Sequence, residues 1–102
     1  MSKESGWILH SVIFTLKHEK GSEAERRFLK DGERILASIP VVKGFKAYKQ
    51  VSVKNDYDFG FAMEFDSQED YDAYNLHDLH TAFVAERWEK EVEKFLEIDY
   101  KL

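Results

Sequence analysis

The stretch Trp7–Leu16 (WILHSVIFTL) carries apolar or β-branched side chains at nearly every position. In an extended chain, alternate side chains point to opposite faces, so both faces of this segment are mainly apolar. A strand of this kind has to be covered on both sides, which predicts a central strand of a sheet. One imidazole interrupts the pattern, because His10 lies between Ile8 and Val12 on the same face. The fold must therefore be built around this strand.

Length and charge restrict what surrounds that strand. A chain of 102 residues is long enough for one core and too short for two, so we predict a single domain over residues 1–102. The formal net charge is −5, and basic residues form no continuous stripe along the sequence. We therefore predict no nucleic-acid partner. Cysteine is absent, which excludes disulfides, thiolate zinc sites and thiol nucleophiles. Since no run of about 18 apolar residues occurs, we expect no membrane association and a cytoplasmic location.

Helix signals follow the first strand. Ser22 and Glu25 have the spacing of a capping box, which predicts a helix start, and Pro40 predicts that this helix ends near Ser38. Its apolar stripe is expected to include Ala24, Phe28, Leu29, Ile35, Leu36 and Ile39. Ser67 begins a second helical segment with an acidic first turn. A third helix is predicted over residues 79–95.

Strand signals fill the remaining segments. Residues 45–53 and 59–65 alternate in polarity around a turn at 54–56, and residues 97–102 end the chain as a short strand. The order is strand, helix, strand, strand, helix, strand, with the last helix in two pieces. This order predicts an α+β, ferredoxin-like βαββαβ subunit.

The segment Tyr74–Phe83 (YNLHDLHTAF) places a tyrosine and two histidines within seven residues. On a continuous helix, Tyr74 and His80 would point roughly 120° apart, so they meet only if the helix breaks between them. Asp78 supplies a reason for a break, because it can cap a new helix beginning at Leu79. One interpretation is a helix joint with ordinary polar histidines. The other is a site where the His80 imidazole accepts a proton and the Tyr74 hydroxyl donates to a carbonyl oxygen.

The motifs ILHSVIFTLK, YDFGFAMEFDSQEDYDAY and LHDLHTAF, with the ending W…EIDY, resemble the stress-responsive dimeric α/β-barrel (Dabb) family over nearly the whole chain. The resemblance implies a homodimer in which the sheets of two ferredoxin-like subunits form a barrel with the helices outside. It implies no cofactor. The face that carries Gly60 and Ala62 would then be the one that a second sheet approaches closely.

Within the family, plant polyketide cyclases are similar to this chain at the tyrosine and the histidine pair. The similarity implies that His80 is the catalytic base and Tyr74 its hydroxyl partner, with His77 and His10 in the substrate pocket. The family usually has proline where this sequence has Asp78. Four bulky side chains are candidates for the pocket wall, although core packing explains them equally well: Phe61, Met63, Phe83 and Trp88.

Three classes of function remain open. The first is a cofactor-free enzyme on a small carbonyl or polyketide-like compound, with a cofactor-independent monooxygenase as a variant. The second is a non-catalytic dimer that binds a small hydrophobic ligand or acts in a stress response. The third is a divalent metal site built from His77 and His80 with either His10 or a nearby carboxylate. A pair of histidines three residues apart is weak evidence for a metal, and we predict none.

Overall fold

The computed structural model describes residues 6–101 and has the predicted ferredoxin-like α+β architecture. Its four strands form one antiparallel sheet in the order β2-β3-β1-β4. The strands are β1 (Ile8–Leu16), β2 (Lys43–Lys49), β3 (Phe59–Phe65) and β4 (Val92–Lys101). The helices are α1 (Glu23–Ala37), α2 (Gln68–Leu76), α3 (Asp78–Phe83) and α4 (Glu89–Glu91), with a π-helical turn at Val84–Trp88 between the last two.

Strand β1 lies inside the sheet, as its two apolar faces predict. It pairs with β3 on one side and with β4 on the other. On the face that packs under the helices, Ile8, His10, Val12, Phe14 and Leu16 are all buried. The position of His10 among these residues is therefore a property of the strand register.

Helix α1 begins and ends where its local signals predict. The Ser22 hydroxyl accepts a hydrogen bond from the Glu25 backbone N–H at 3.2 Å, and the Glu25 carboxylate accepts one from the Gly21 N–H at 2.9 Å. The helix ends at Ala37, three residues before Pro40. Two of the expected stripe residues within it, Phe28 and Leu36, are buried, whereas Ala24 is exposed.

The prediction of a third helix over residues 79–95 is wrong at its C-terminal end. Helical structure stops at Glu91, and β4 starts at Val92, five residues earlier than the predicted last strand. Every residue of β1 has a partner in β4. This pairing overrides the helix-like spacing of Trp88, Val92 and Phe95, because a full ladder satisfies more backbone groups than another helical turn.

The strand predicted over residues 45–53 is also displaced. Strand β2 covers Lys43–Lys49, and residues 50–58 form an irregular connection to β3. Side chains help to hold that connection, since the Gln50 amide donates to the Tyr57 carbonyl at 2.6 Å and the Asn55 side chain accepts from the Tyr57 N–H at 2.9 Å. A backbone bond from the Gln50 N–H to the Asp58 carbonyl at 2.8 Å closes its ends.

The core lies between the helices and one face of the sheet and is mainly aromatic. Phe14 is in ring contact with Phe61 at 4.9 Å and with Phe28 at 6.0 Å, and Phe28 contacts Phe83 at 5.5 Å between ring centroids. Gly32 of α1 faces this cluster and is buried. Among residues 6–101, no helix has the length and apolar content needed to cross a bilayer.

No helix within residues 6–101 covers the other face of the sheet. Leu96, Ile98 and Tyr100 of β4 are 47%, 37% and 53% exposed there, and they are paired in register with Ile13, Ser11 and Leu9 of β1. We call this surface the open face. Large apolar side chains clustered on one exposed sheet face are typical of an interaction surface.

Replacing Gly32 tests how tightly α1 packs on the aromatic core. A β-carbon at this position would lie 2.9 Å from Phe61 Cζ and 3.3 Å from Phe83 Cζ, and both rings are buried. Gly32→Val should lower the free energy of unfolding by about 2 kcal/mol, measured by urea denaturation, because the core is overpacked. Glu33→Val, at the adjacent exposed position, should cost about 0.5 kcal/mol or less. Equal losses in the two variants would contradict close packing at Gly32.

Candidate functional site

The helix after β3 breaks at His77. Helix α2 ends at Leu76, and His77 has an extended backbone (φ −66°, ψ 140°) before α3 begins. The imidazole of His77 caps α3, because its Nδ1 accepts a hydrogen bond from the Leu79 N–H at 3.1 Å. The cap predicted at Asp78 is therefore wrong. Asp78 is the first helical residue, where its carboxylate still faces the positive end of α3.

The break brings Tyr74 and His80 into contact. Their ring centroids are 4.4 Å apart, with Tyr74 buried and His80 half-buried. His80 Nδ1 lies 3.1 Å from the backbone carbonyl oxygen of Asn75. A carbonyl oxygen only accepts, so Nδ1 carries the proton and Nε2 is left as a hydrogen-bond and proton acceptor.

A cavity of about 40 Å³ lies between the sheet and the helices, beside these two rings. Seven of the eight residues predicted for the site line it, and His77 does not. Its lining consists of His10, Val12, Leu36, Phe61, Met63, Tyr74, His80, Phe83, Val84, Trp88 and Glu97. The role predicted for His77 in ligand contact stays a prediction, and its observed contact is the helix cap.

His10 is held at the cavity by a carboxylate from β4. Its Nδ1 is 2.5 Å from Asp99 Oδ1. The Tyr71 hydroxyl donates to Asp99 Oδ2 at 2.8 Å and lies 3.1 Å from the same His10 nitrogen. Strand register produces this arrangement, because His10 and Asp99 are directly paired between β1 and β4.

Burial sets the charge state of two of these groups. It raises the pKa of the Tyr74 hydroxyl well above its ordinary value of 10.0, and nearby Tyr71 and Glu97 add to the effect. Burial lowers the pKa of His80 below 6.5, although the bond from its ring to the Asn75 carbonyl opposes this. At neutral pH the cavity therefore has a hydroxyl donor at Tyr74 beside a neutral imidazole at His80.

The π-helical turn forms the wall of the cavity opposite the sheet. It brings Val84 and Trp88 to the lining, and it is tied to α1 by Arg87, which donates to Asp31 Oδ2 at 2.8 Å and to Glu91 Oε2 at 2.5 Å. A π-helical turn inside a helix is rare and occurs frequently at functional sites.

Three polar residues at or near the cavity are not predicted from the sequence: Tyr71, Glu97 and Asp99. Tyr71 precedes Tyr74 by three residues on α2, so the same helix face carries both, a signal that the sequence does contain. Glu97 and Asp99 could be found only from the register of β4 against β1. Between residues 6 and 101, no group of three or more His, Cys, Asp and Glu side chains is arranged to hold a metal ion.

Titration of His80 tests the environment of the site. We expect the midpoint of its imidazole, followed by NMR, to lie below the ordinary value of 6.5 in the folded chain and to return to it in urea. Because only the unfolded chain then takes up this proton as the pH falls through about 6.5, His80 lowers folding stability on the acidic side. A midpoint above 6.5 in the folded chain would contradict the burial of His80 beside Tyr74.

Comparison with known proteins relates the chain to a family. No curated protein matches the chain. The structure is similar to a Dabb family protein with a ferredoxin-like fold from Mesorhizobium loti, at 54% identity over 95% of this chain and 97% of that one (TM-score 0.94).

More distant structures share the fold. A dimeric ferredoxin-like protein of unknown function from Thermobifida fusca is 18% identical over 97% of this chain and 93% of that one (TM-score 0.79). A hydroxynitrile lyase from Passiflora edulis is 14% identical over 97% and 95% (TM-score 0.83). The family model of the stress responsive A/B barrel domain matches residues 8–102. The chain therefore belongs to the Dabb family.

Proposed function

We propose that the chain is a cofactor-free acid–base enzyme that acts on a small neutral carbonyl compound. His80 Nε2 accepts a proton from a C–H or O–H group next to the carbonyl carbon, while the Tyr74 hydroxyl donates to the carbonyl oxygen as negative charge develops there. One observation carries the proposal. The Asn75 carbonyl occupies His80 Nδ1, so the free acceptor nitrogen belongs to a ring 4.4 Å from a buried, protonated phenol.

The cavity restricts the size of the substrate. A volume of about 40 Å³ holds one or two water molecules, so a long poly-β-keto chain does not fit unless wall residues move. Trp88 is one of the wall residues that are only partly buried. Compounds of two to four carbon atoms need the least displacement of the wall and are therefore the first to test, ahead of the longer chains that polyketide cyclisation requires.

The charge of the lining restricts the substrate further. Glu97 contributes a carboxylate, and the two imidazoles contribute acceptors, whereas Tyr74 is the only hydroxyl donor among the lining residues. An anionic substrate would meet a like charge and too few donors. A neutral compound with a hydroxyl group next to its reacting carbon fits this set better.

Cyanohydrin cleavage is one reaction of this type. His80 takes the hydroxyl proton, the bond to the nitrile carbon breaks as the carbonyl forms, and protonated His80 returns the proton to the departing cyanide, which leaves as hydrogen cyanide. The lyase from Passiflora edulis shares the fold with this chain at 14% identity, which supports testing the reaction but supplies no residue roles.

A non-catalytic role is the second candidate, and the small cavity favours it. If side chains close the space around one or two waters, those waters satisfy the polar atoms of the two rings, and the protein acts as a stable dimer or a binder of very small molecules. This role predicts that substitution of His80 alters no activity.

The open face supports a homodimer as part of the proposal. Gly60 and Ala62 are small, and with Ser11, Ile13 and Tyr48 they border a shallow, nearly apolar groove of about 190 Å³. A second copy of the same sheet packed there would cover Leu96, Ile98 and Tyr100 as well. The protein from Thermobifida fusca that shares this fold is dimeric, which supports testing for a dimer.

Sedimentation velocity at micromolar concentration tests the dimer. We expect a species of twice the 12.0 kDa of one chain, and Ile98→Lys should convert it to monomer because a charge would be buried at the interface. Lys90→Glu, on the exposed surface of α4 away from the open face, serves as the control and should remain dimeric. A wild-type protein that sediments only as monomer would contradict the assembly.

A substrate panel tests the reaction. Small hydroxy ketones, aldehydes and cyanohydrins should be turned over, and His80→Gln should lower kcat by about 100-fold or more, since a general base contributes about 10²–10⁴. Tyr74→Phe should also lower kcat. His18→Gln, a histidine outside the cavity, is the control and should retain activity. Turnover that His80→Gln leaves unchanged, or no turnover of any compound, favours the non-catalytic role.

A further inference from the structure

The second imidazole of the cavity has a polar environment that the proposed function does not use. His10 is 4% exposed and lies on the helix-covered face of the central strand. Burying a polar ring there costs free energy unless its nitrogens are hydrogen-bonded. Asp99 and Tyr71 satisfy Nδ1, and no group among residues 6–101 bonds to Nε2.

The hydrogen-bond directions decide which nitrogen carries the proton. An ionised carboxylate only accepts, and the single proton of the Tyr71 hydroxyl is donated to Asp99 Oδ2 at 2.8 Å. Both neighbours of His10 Nδ1 are thus acceptors, so Nδ1 is protonated. The lone pair of the neutral ring then belongs to Nε2, on the ring of a residue that lines the cavity.

We propose that Asp99 is a positioning residue, itself fixed by Tyr71, which holds His10 in the Nδ1–H form so that the cavity has a second imidazole acceptor opposite His80. The inference rests on the proposed function for its catalytic meaning. The choice of the ring nitrogen of neutral His10 that carries the proton can be measured in the free protein and does not depend on any substrate.

Two equivalent acceptors change what the site can bind. His80 Nδ1 is held by a backbone carbonyl, and His10 Nδ1 by a carboxylate, so each ring offers Nε2. With the Tyr74 hydroxyl as donor, a bound molecule can donate twice and accept once. The enediol of a hydroxy carbonyl compound has this pattern. In the hydroxy carbonyl compound itself, His10 would accept from the hydroxyl while His80 takes the C–H proton that is transferred.

A purely structural role for Asp99 predicts something different. A carboxylate that only fills space or satisfies a core histidine would be replaceable by an amide of the same shape. An amide offers His10 Nδ1 a donor as well as an acceptor, so Asp99→Asn removes the reason for the Nδ1–H form. The two roles of Asp99, positioning and purely structural, are therefore distinguished by which nitrogen of His10 carries the proton in the Asp99→Asn variant.

Two-bond ¹H–¹⁵N NMR on histidine-labelled full-length protein measures that property. At about pH 8, above the ordinary histidine pKa, we expect the wild-type His10 to carry its proton on Nδ1. In Asp99→Asn the Nε2–H form should become populated, while Glu93→Gln on the same strand should leave the ring unchanged. A wild-type ring protonated on Nε2, or a folded Asp99→Asn variant that keeps the wild-type form, would overturn the inference.

Tyr71→Phe provides a second variant should Asp99→Asn fail to fold. It keeps the ring of Tyr71 and its packing on Phe65, at 5.1 Å between centroids, but removes the hydroxyl that holds Asp99. His10 signals should broaden while the proton stays mainly on Nδ1. Unchanged His10 signals would remove Tyr71 from the proposal.

Kinetics then separates this inference from the proposed function. With a substrate from the panel, Asp99→Asn should lower kcat by about tenfold to 100-fold in the wild-type background and have no further effect in His10→Gln, because Asp99 acts through His10. Additive losses would overturn the positioning role. If no compound is turned over, the proposed enzyme fails, while the NMR result alone decides how His10 is held.

Discussion

The pairing of β1 with two neighbours at once is the constraint from which the rest of the structure follows. Strand β1 hydrogen-bonds to β3 and β4 along its length, so its alternate residues are fixed under the helices or on the open face. A shift of one residue would exchange the two faces. His10 could then not lie beside Asp99, and Val12 and Phe14 would leave the core.

The second constraint is the break at His77, which converts one helix into two pieces of the cavity wall. An unbroken helix would direct Tyr74 and His80 apart by roughly 120°, but an extended residue between α2 and α3 turns their rings toward each other. The extended backbone of His77 separates α2 from α3, and its ring caps α3 by accepting a hydrogen bond from the Leu79 N–H. The contact between the two rings is therefore produced by the backbone of a residue that does not line the cavity.

A feature of the fold or of the site can be predicted from the sequence when the residues that determine it lie close together along the chain. The limits of α1 follow from Ser22, Glu25 and Pro40, all local signals, and the element order follows from periodicity. His77 and His80 are singled out as candidates because they lie close together in the sequence, and His10 because it interrupts an apolar face of β1. The start of β4 was not, since Trp88, Val92 and Phe95 also suit a helix and the deciding partner strand is far away in the chain. The Asp99 contact with His10 spans 89 positions, so no local pattern indicates it.

The energetics of the buried polar groups connect the fold to the function. A leucine at position 10 would pack on Phe65 without requiring any partner, whereas the histidine requires Asp99 and Tyr71 and leaves Nε2 without a bond from residues 6–101. A water or ligand in the cavity that His10 lines can bond to this nitrogen. Tyr74 and His80 present further polar groups to the same small space. Because these polar groups converge on one cavity in an otherwise apolar core, binding of a small polar molecule explains the arrangement better than packing alone.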